Sequence, residues 1–595
     1  MRVAKPELPN AAIAGALEEL GDLYELDGAI VHRVLAYRTA AKAVRDAPVS
    51  VAALAREGRA TELPGIGTTL QSKILALLDS GTIPSAEKLR AKFPPGLIAI
   101  TRLPGIGPKR ARLLHSELGI DSIETLRDAA LQQRLRSVRG LGPKFEASVL
   151  AALEAGMAEH AAARVLLPRA LEVGEALASG LSERALGAQV LVAGSARRLA
   201  DSVKDLDLVA VTEAPEALAG SLSQLEEVES VSSNGPAGAR ALTHSGLRVD
   251  LRIAAPEQLG SLLQHFTGSG RHNAALREAA VRRGLHVSEY GVLDDTSGNR
   301  RACASEEEVY ASLGLAYIEP ELREDRGELQ AAAVDPRSVN GGGLPSLIGL
   351  SDIRGDLHSH TVASDGHNTI KEMAAAARER EYEYLAITDH SASHGFGNDV
   401  SPTQLRRQIE LVHEASAEMP DIELLAGSEV NILPDGSLDY EAELLGQLDW
   451  VIASVHTAFG MSEQAMTERV IAAIEHPLVD AIGHPTGRLI ERREPYPIDL
   501  DAVFAAAART RTMLEINGNP DRRDLSDVHA RAAARAGVLI LIDSDAHRIG
   551  TLQNIRWGVA TARRAWLTSQ DVANTRPWAE LVKLGKRKRA RGARS

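Results

Sequence analysis

Two sets of side chains in this 595-residue chain have the types and spacing of reactive sites. The first begins in "GDLHSHTVASDG", which places His358, His360 and Asp365 in one short segment. A His-x-His pair on a strand sends both imidazoles to one face, which suits joint ligation of a cation. Further candidates follow at His390 in "ITDHS", Glu429 in "GSEVN", His456 in "ASVHT", His484 in "IGHP", and Asp545 and His547 in "DSDAH". Nine such donors exceed the needs of one ion, so the pattern predicts two or three. The chain has a single cysteine, Cys303, which rules out a thiolate cage. Nitrogen and oxygen donors alone suit Zn2+, Mn2+ or Fe.

The second set is acidic. Asp205 and Asp207 lie one residue apart in "SVKDLDLVAV", and on a strand they share a face and repel. Asp250, in "LRVDLRI", is a third partner if it lies on a neighbouring strand. Three carboxylates suit two divalent ions about 3.5–4 Å apart, the arrangement for in-line phosphoryl displacement. Upstream, "AGSARR" puts Gly194 and Ser195 at an expected strand-to-helix turn, with Arg197 and Arg198 beside them. Amide, hydroxyl and guanidinium donors there suit a triphosphate.

The elements that must position these groups change along the chain. To about residue 155 the pattern is helical and punctuated by a repeat: "ELPGIGTTLQSKI", "RLPGIGPKRARLL" and "VRGLGPKFEASVL". Each unit sets glycines (Gly65 and Gly67, Gly105 and Gly107, Gly140 and Gly142) between helix-like stretches, the pattern of a helix-hairpin-helix. Tight glycine turns leave amides at the next helix start facing outward to take a phosphate oxygen. Lys109, Arg110 and Lys144 add charge. From about 185 to 260, short β-rich runs indicate an α+β domain on a small sheet. Residues 261 to about 325 return to a mixed helical pattern, and "DPRSVNGGGLPSLIG" reads as a linker. Beyond it, runs such as "YLAITDH", "WVIASVH", "TMLEING" and "VLILIDSDAH" alternate with Ala-rich helices. That alternation predicts an α/β barrel, whose strand ends converge on one mouth.

Composition narrows the class. Hydrophobic residues make up 44% and charged residues 25%, the balance of a soluble globular chain. The sequence has no apolar run long enough to span a membrane, and its opening carries Pro and acids where a signal peptide needs an apolar core. One cysteine excludes an internal disulfide and fits a reducing cytoplasm. The net charge of −13 argues weakly against nucleic acid, but phosphate contacts depend on local patches and backbone amides. The basic tail "KLGKRKRARGARS" is one such patch.

The order "GSARR", "DLDLV", "RVDL", "FTGS", preceded by three hairpin motifs, resembles the core of family X DNA polymerases over residues 1 to about 325. The resemblance implies that Gly194, Ser195 and Arg198 bind the incoming nucleotide's phosphates. It implies that Asp205, Asp207 and Asp250 hold two Mg2+ (or Mn2+) ions, with Asp250 helping to activate the primer 3′-hydroxyl. "QHFTGSGRHNAALR" resembles the sugar and base pocket: His265 and Phe266 against the deoxyribose, Gly268 in the same turn, Asn273 at the minor-groove edge, Arg277 toward the template. The family usually has Tyr where His265 stands. The first helical domain resembles the family's DNA-end-binding domain, in which Lys73 matches a lysine that some members use as a Schiff-base nucleophile. Residues 350–575 resemble the polymerase and histidinol phosphatase (PHP) domain, and all nine candidate ligands fit its pattern. That implies an irregular seven-stranded α/β barrel, a trinuclear site and phosphoester hydrolysis. Fused to a family X core it implies 3′→5′ exonuclease activity, with cleavage at abasic sites or removal of 3′-phosphates as further activities.

The expected organisation is a helical DNA-end-binding domain (1–85), a helix-hairpin-helix region (86–155), a nucleotidyltransferase palm (156–260), a nucleotide-selection or thumb subdomain (261–334), a linker (335–348), the PHP barrel (349–575) and a basic tail (576–595). The expected function is short-gap filling in DNA repair with a second site acting on 3′ ends. The partners are gapped or primer-template DNA and dNTPs, with no membrane, in the cytoplasm at the nucleoid. Two rivals are a nuclease or phosphatase whose polymerase core only binds DNA, and a non-catalytic DNA-end scaffold.

Overall fold

The computed structural model describes residues 7–154, 164–333 and 343–585, except 102, 104, 186, 394, 396 and 397. Its described parts divide into two units: 1–165 with 172–192 and 204–256, and 166–171 with 193–203 and 257–595.

The first unit opens with helices because its apolar residues recur at helical spacing. Ile13, Leu17, Leu20 and Leu23 line one face of Asn10–Leu26 and are fully buried. They share a core with Ala40, Ala41 and Val44 of Val31–Asp46 and Ile74 of Thr68–Ser80. Three hairpin turns follow the repeat. Gly65, Gly105 and Gly140 adopt φ of 78°, 80° and 88°, a left-handed backbone that glycine takes without steric cost. Two residues later Gly67, Gly107 and Gly142 precede the helices Thr68–Ser80, Pro108–Leu118 and Pro143–Glu154.

The same unit holds a five-stranded sheet: β1 (Gln189–Val192), β2 (Asp205–Val211), β3 (Val228–Gly235), β4 (Gly238–Thr243) and β5 (Arg248–Ala254), in the order β1-β2-β5-β4-β3. β2 and β5 run parallel, and the other neighbours are antiparallel. The period of two decides the faces: Val249, Leu251 and Ile253 are buried while Arg248, Asp250 and Arg252 point to the other side.

In the second unit, helices Leu259–Thr267, Gly270–Val281 and Glu306–Ser312 accompany an antiparallel sheet of β6 (Leu285–Ser288), β7 (Gly291–Asp294) and β8 (Arg300–Arg301). Buried ion pairs pin this region. Arg323 donates to Glu306 at 2.5 Å and to the Ile318 carbonyl at 2.9 Å, and His272 lies 2.7 Å from Glu328 and 3.1 Å from the Tyr310 hydroxyl.

The barrel comprises β9 (Gly355–Asp356), β10 (Tyr384–Ile387), β11 (Glu423–Asn431), β12 (Trp450–Ser454), β13 (Ala481–Ile482), β14 (Met513–Asn517) and β15 (Ile540–Asp543), parallel and adjacent in chain order. β10, β12, β14 and β15 are buried at every position, as strands covered on both faces must be. A parallel bridge between Ser359 and Ala546 joins the two ends, and the Leu357 amide donates to Asp543 at 2.7 Å.

Two expected boundaries move. Residues 335–342 of the expected linker lie outside the described residues, but Ile348 is fully buried in the barrel core and its amide donates to the Leu567 carbonyl at 3.0 Å. The stretch expected as tail begins with a helix, Trp578–Leu584. Leu581 is fully buried, and Trp578 packs 5.8 Å from Tyr384 and 6.2 Å from Trp450. Apolar side chains draw both segments into the barrel. The rest of the tail, 586–595, lies outside the described residues. Among the described residues no helix is long and apolar enough to cross a membrane.

Candidate active sites

The barrel brings all nine candidate ligands to one mouth. His358, His360 and Asp365 follow β9, His390 follows β10, Glu429 sits on β11, His456 follows β12, His484 follows β13, and Asp545 and His547 follow β15. These are the C-terminal ends of parallel strands, where loops can present side chains to a common point. Glu429 is the hub. Its carboxylate lies 2.8 Å from His390 Nδ1, 2.9 Å from His484 Nε2, 3.2 Å from His456 Nε2 and 3.4 Å from His358 Nε2. Asp545 lies 3.3 Å from His360 and 3.7 Å from His358, and Asp365 lies 3.4 Å from His547 and 3.6 Å from His390. Three groups have donor atoms within 4.8 Å of one another: His360, Asp365, His390 and His547; His358, His360 and Asp545; and His390, Glu429 and His456.

The electrostatics match a cation site. Burial opposes ionisation of Glu429 and Asp545, yet the surrounding imidazoles hold both well below the usual carboxylate range. Burial also opposes charge on His358, but Glu515, Glu429 and Asp545 raise it well above the ordinary value. His547 is raised to about 9, Asp365 and Asp545 outweighing burial. Burial, His547 and His390 push His360 down to about 4; burial and Arg522 push His484 down to about 3. Among the described residues nothing hydrogen-bonds either ring nitrogen of His360, or Nε2 of His358, although both rings are fully buried. Buried polar atoms rarely go unsatisfied. A divalent ion between Nε2 of His358, Nε2 of His360 and the carboxylates of Glu429 and Asp545 fits the donor set. His484 and Asp545 are also held at φ of 28° and 53°, conformations a non-glycine residue adopts only where its surroundings impose them.

Several supporting groups escaped the sequence reading. Glu515 lies 2.7 Å from His358 Nδ1, so His358 presents Nε2 to Glu429 and Asp545; it also accepts from the His484 amide at 2.5 Å. Asn517 donates to Asp545 at 3.1 Å and to Glu515 at 3.2 Å. Asp389 accepts from the Thr361 amide and hydroxyl (2.7 and 2.6 Å), Ser364 (2.5 Å) and Gln408 (2.5 Å), which fixes the loop carrying His360 and Asp365. The available signal was polar residues at alternate positions of an apolar run: Glu515 and Asn517 in "LEIN".

The acidic set is arranged differently. Asp207 and Asp250 face each other across β2 and β5, with Asp205 opposite Arg248. Asp205 and Asp250 line a depression of about 610 Å3 together with Lys204, Arg240 and Arg248. Arg252 donates to Asp250 at 2.9 Å, and Arg240 lies 3.5 Å from it. Residues two apart on a strand are separated by about 6.6 Å. Among the described residues these carboxylates do not form a cluster as tight as those in the barrel.

Gly194, with φ of 62°, opens the short helix Gly194–Arg197 that also carries Ser195. Arg197 pairs with Glu306 at 2.7 Å; Arg198 lies 3.0 Å from Glu324 and donates to the Thr267 carbonyl at 2.8 Å. Arg198 is thus committed within the protein. His265 and Phe266 pack at 5.0 Å. Asn273 fixes the turn after them, donating to the His265 carbonyl at 2.7 Å, and Arg277 donates to the Asn273 carbonyl at 3.1 Å. A Cβ on Gly268 would stand 2.3 Å from the Asn273 side chain, so a larger residue there would displace the Asn273 amide from its bonds.

In the hairpins the second glycines are informative. A Cβ at Gly67, Gly107 or Gly142 would meet nothing within 4 Å, so packing does not demand glycine there. A side chain would instead cover the exposed amides at the helix starts. Arg110 donates to the Gly105 carbonyl at 2.6 Å and stacks over Phe145, Lys109 lies 4.0 Å from Glu25, and Lys144 is exposed. Lys73 is half-buried and donates to Ser85 at 2.8 Å.

Comparison with known proteins accords with these regions. Residues 8–83 match a helix-hairpin-helix domain family, 97–155 a SAM-like helix-hairpin-helix tandem, 262–324 the DNA polymerase beta thumb, and 356–518 the PHP domain. A Bacillus subtilis protein named DNA polymerase/3′-5′ exonuclease PolX is 36% identical over 96% of this chain and 98% of its own length. The barrel half is similar to shorter proteins. A probable phosphatase of Shewanella sediminis is 33% identical over 39% of this chain and 94% of its own length, and one of Thermoanaerobacter is 33% identical over 37% and 89%.

Proposed function

The chain belongs to the PolX family of DNA polymerases, which join a family X core to a C-terminal PHP domain, and on that premise we propose that it fills short gaps during DNA repair while its barrel trims 3′ ends. The observation that carries this reading is the presence of two separate ligand sets, three acids on an open sheet and nine donors in a barrel mouth.

Asp205, Asp207 and Asp250 would hold two Mg2+ (or Mn2+) ions, and the nine barrel residues two or three Zn2+, Mn2+ or Fe ions. When bound, such ions stabilise the attacking and leaving oxygens of an in-line displacement at phosphorus. Asp250, paired with Arg252 and bordered by Arg240, is the group assigned to the primer 3′-hydroxyl. Gly194 and Ser195 are assigned to the triphosphate; Arg198 joins them only by leaving Glu324. His265 and Phe266 pack on the deoxyribose, with Gly268 and Asn273 shaping their turn and Arg277 toward the template. The hairpin amides at Gly65–Gly67, Gly105–Gly107 and Gly140–Gly142, with Lys109, Arg110 and Lys144, take backbone phosphates irrespective of sequence. Lys73, bonded to Ser85, is read as a phosphate contact.

In the barrel, the depressed pKa of His360 and His484 keeps both imidazoles neutral and their lone pairs available. Glu515 and Asp389 hold the ligand loops in place. The likeness of the barrel to proteins named probable phosphatases favours removal of 3′-phosphates as its second activity, ahead of cleavage at abasic sites. A cytoplasmic, nucleoid-associated enzyme is consistent with the single cysteine.

The test is a 5′-labelled primer on a short-gap template with Mg2+ or Mn2+, with and without dNTPs. Asp205→Ala is expected to lose extension and keep shortening; His360→Ala is expected to lose shortening by more than about a hundredfold and keep extension. Wild type that shortens the primer and never extends it would replace this reading with that of a nuclease.

A further inference from the structure

Residues 198–202 run from the Gly-Ser turn toward β2, the strand that carries Asp205 and Asp207, and they belong to the same unit as the barrel. Barrel side chains hold four of these five residues. Arg564 donates to the Arg198 carbonyl at 2.7 Å. Arg523, fully buried, donates to the Leu199 carbonyl at 3.0 Å and lies 3.3 Å from Asp201, whose other oxygen is 2.9 Å from Arg488. The Ser202 hydroxyl donates to Glu491 at 2.7 Å.

The held segment is strained. Leu199 has φ of 56°, which a branched residue adopts only where its surroundings over-determine it. The charges interlock, with each acid between two guanidinium groups: Asp201 between Arg488 and Arg523, Glu324 between Arg198 and Arg564, and Asp527 between Arg326 and Arg564. A planar fork fixes two directions at once, which a point charge does not. None of Arg488, Arg523 and Arg564 is a candidate metal ligand or a member of the acidic set.

We propose that Arg488, Arg523 and Arg564 are positioning residues for nucleotide incorporation: they hold the strained turn at Leu199, whose neighbour Ala200 donates its amide to the Ser195 carbonyl at 3.0 Å, and thereby orient the Gly194–Arg197 helix of the same unit, which carries the groups assigned to the triphosphate. The barrel then has a second role, independent of its metal centre. The inference rests on the polymerase reading above. A displacement of about 1 Å at a reacting centre costs on the order of a hundredfold in rate, so loosening this turn acts on kcat.

The experiment measures single-nucleotide incorporation on a one-nucleotide gap, primer shortening without dNTPs, and thermal midpoint, for wild type, Asp201→Asn, Asp201→Glu and Arg564→Met. Asp201→Asn and Arg564→Met are expected to lower kcat for incorporation by about ten- to a hundredfold, with shortening within about twofold of wild type. Asp201→Glu, which restores the charge between the two arginines, is expected to recover most of the loss. Unchanged kcat in both variants, whatever happens to KM, overturns the proposal. So does parallel loss of both activities with a lowered midpoint and no recovery in Asp201→Glu, the signature of plain structural support. Wild type that fails to extend overturns the polymerase reading and this inference together; wild type that extends alongside variants of equal kcat overturns this inference alone.

Discussion

In the barrel, His360 has both ring nitrogens sealed from solvent and its Nε2 3.3 Å from Asp545 and 3.7 Å from Glu429; on the sheet, Asp205 stands exposed and Asp250 leans on Arg252. Both sites are assigned divalent ions, yet they reach that chemistry by different routes. The barrel converges donors from successive strand ends, and a frame of Glu515, Asn517 and Asp389 fixes them before any ion arrives. The sheet offers two parallel strands with acids at matched register, open on one side, where substrate phosphates can complete the coordination. The difference teaches that a preassembled centre suits ions retained between turnovers, and an open edge suits ions that come and go with nucleotide.

The largest expected effect follows from that contrast. Dialysis against a chelator should abolish both activities; adding Mg2+ afterwards should restore primer extension at once and leave shortening absent until Mn2+, Zn2+ or Fe2+ is supplied. Metal analysis of the dialysed protein checks it, and equal recovery of both activities with Mg2+ would break the comparison. A smaller effect is expected from Glu515→Gln. It keeps the shape beside His358 and removes the charge, so ion retention and shortening should fall by about 10–100-fold while extension is unchanged. Loss of extension as well would mean that the frame of the barrel serves both sites.

The third effect concerns pH. Without ions His358 is raised well above its ordinary value and His547 to about 9, so protons compete with metal for these nitrogens. Ion affinity of the barrel should therefore rise with pH from about 7 to 9, by about tenfold per unit for each proton displaced, whereas carboxylates already ionised there give no such dependence. Calorimetry in buffers of different ionisation enthalpy reads the proton release. A flat profile for the barrel would place its histidines in the neutral form before binding.

Much of this was legible in the chain. The alternation of apolar runs with Ala-rich helices predicts the barrel, and the position of each His, Asp or Glu just past an apolar run predicts a common mouth, because parallel strands bring like ends together. The glycine repeat predicts the hairpin turns for a local reason, since a left-handed backbone is read from residue type. Other features were hidden. Trp578 and Leu581 look like the start of a basic tail until Tyr384 and Trp450 are found beneath them. Glu515 reads as one polar residue in a strand until it meets His358, 157 positions earlier. Arg198 reads as a phosphate ligand, and its bond to Glu324, 126 positions away, appears only in three dimensions.

The sequence by itself determined the donor inventory, the local turns and the order of elements, because spacing and residue type act through the backbone over a few residues. Tertiary structure alone decided which donors share an ion-sized space, which arginines are already committed, and that barrel residues grip the turn that follows the Gly194–Arg197 helix. Those outcomes depend on contacts between residues from a few tens to several hundred positions apart, whose pairing no local pattern encodes.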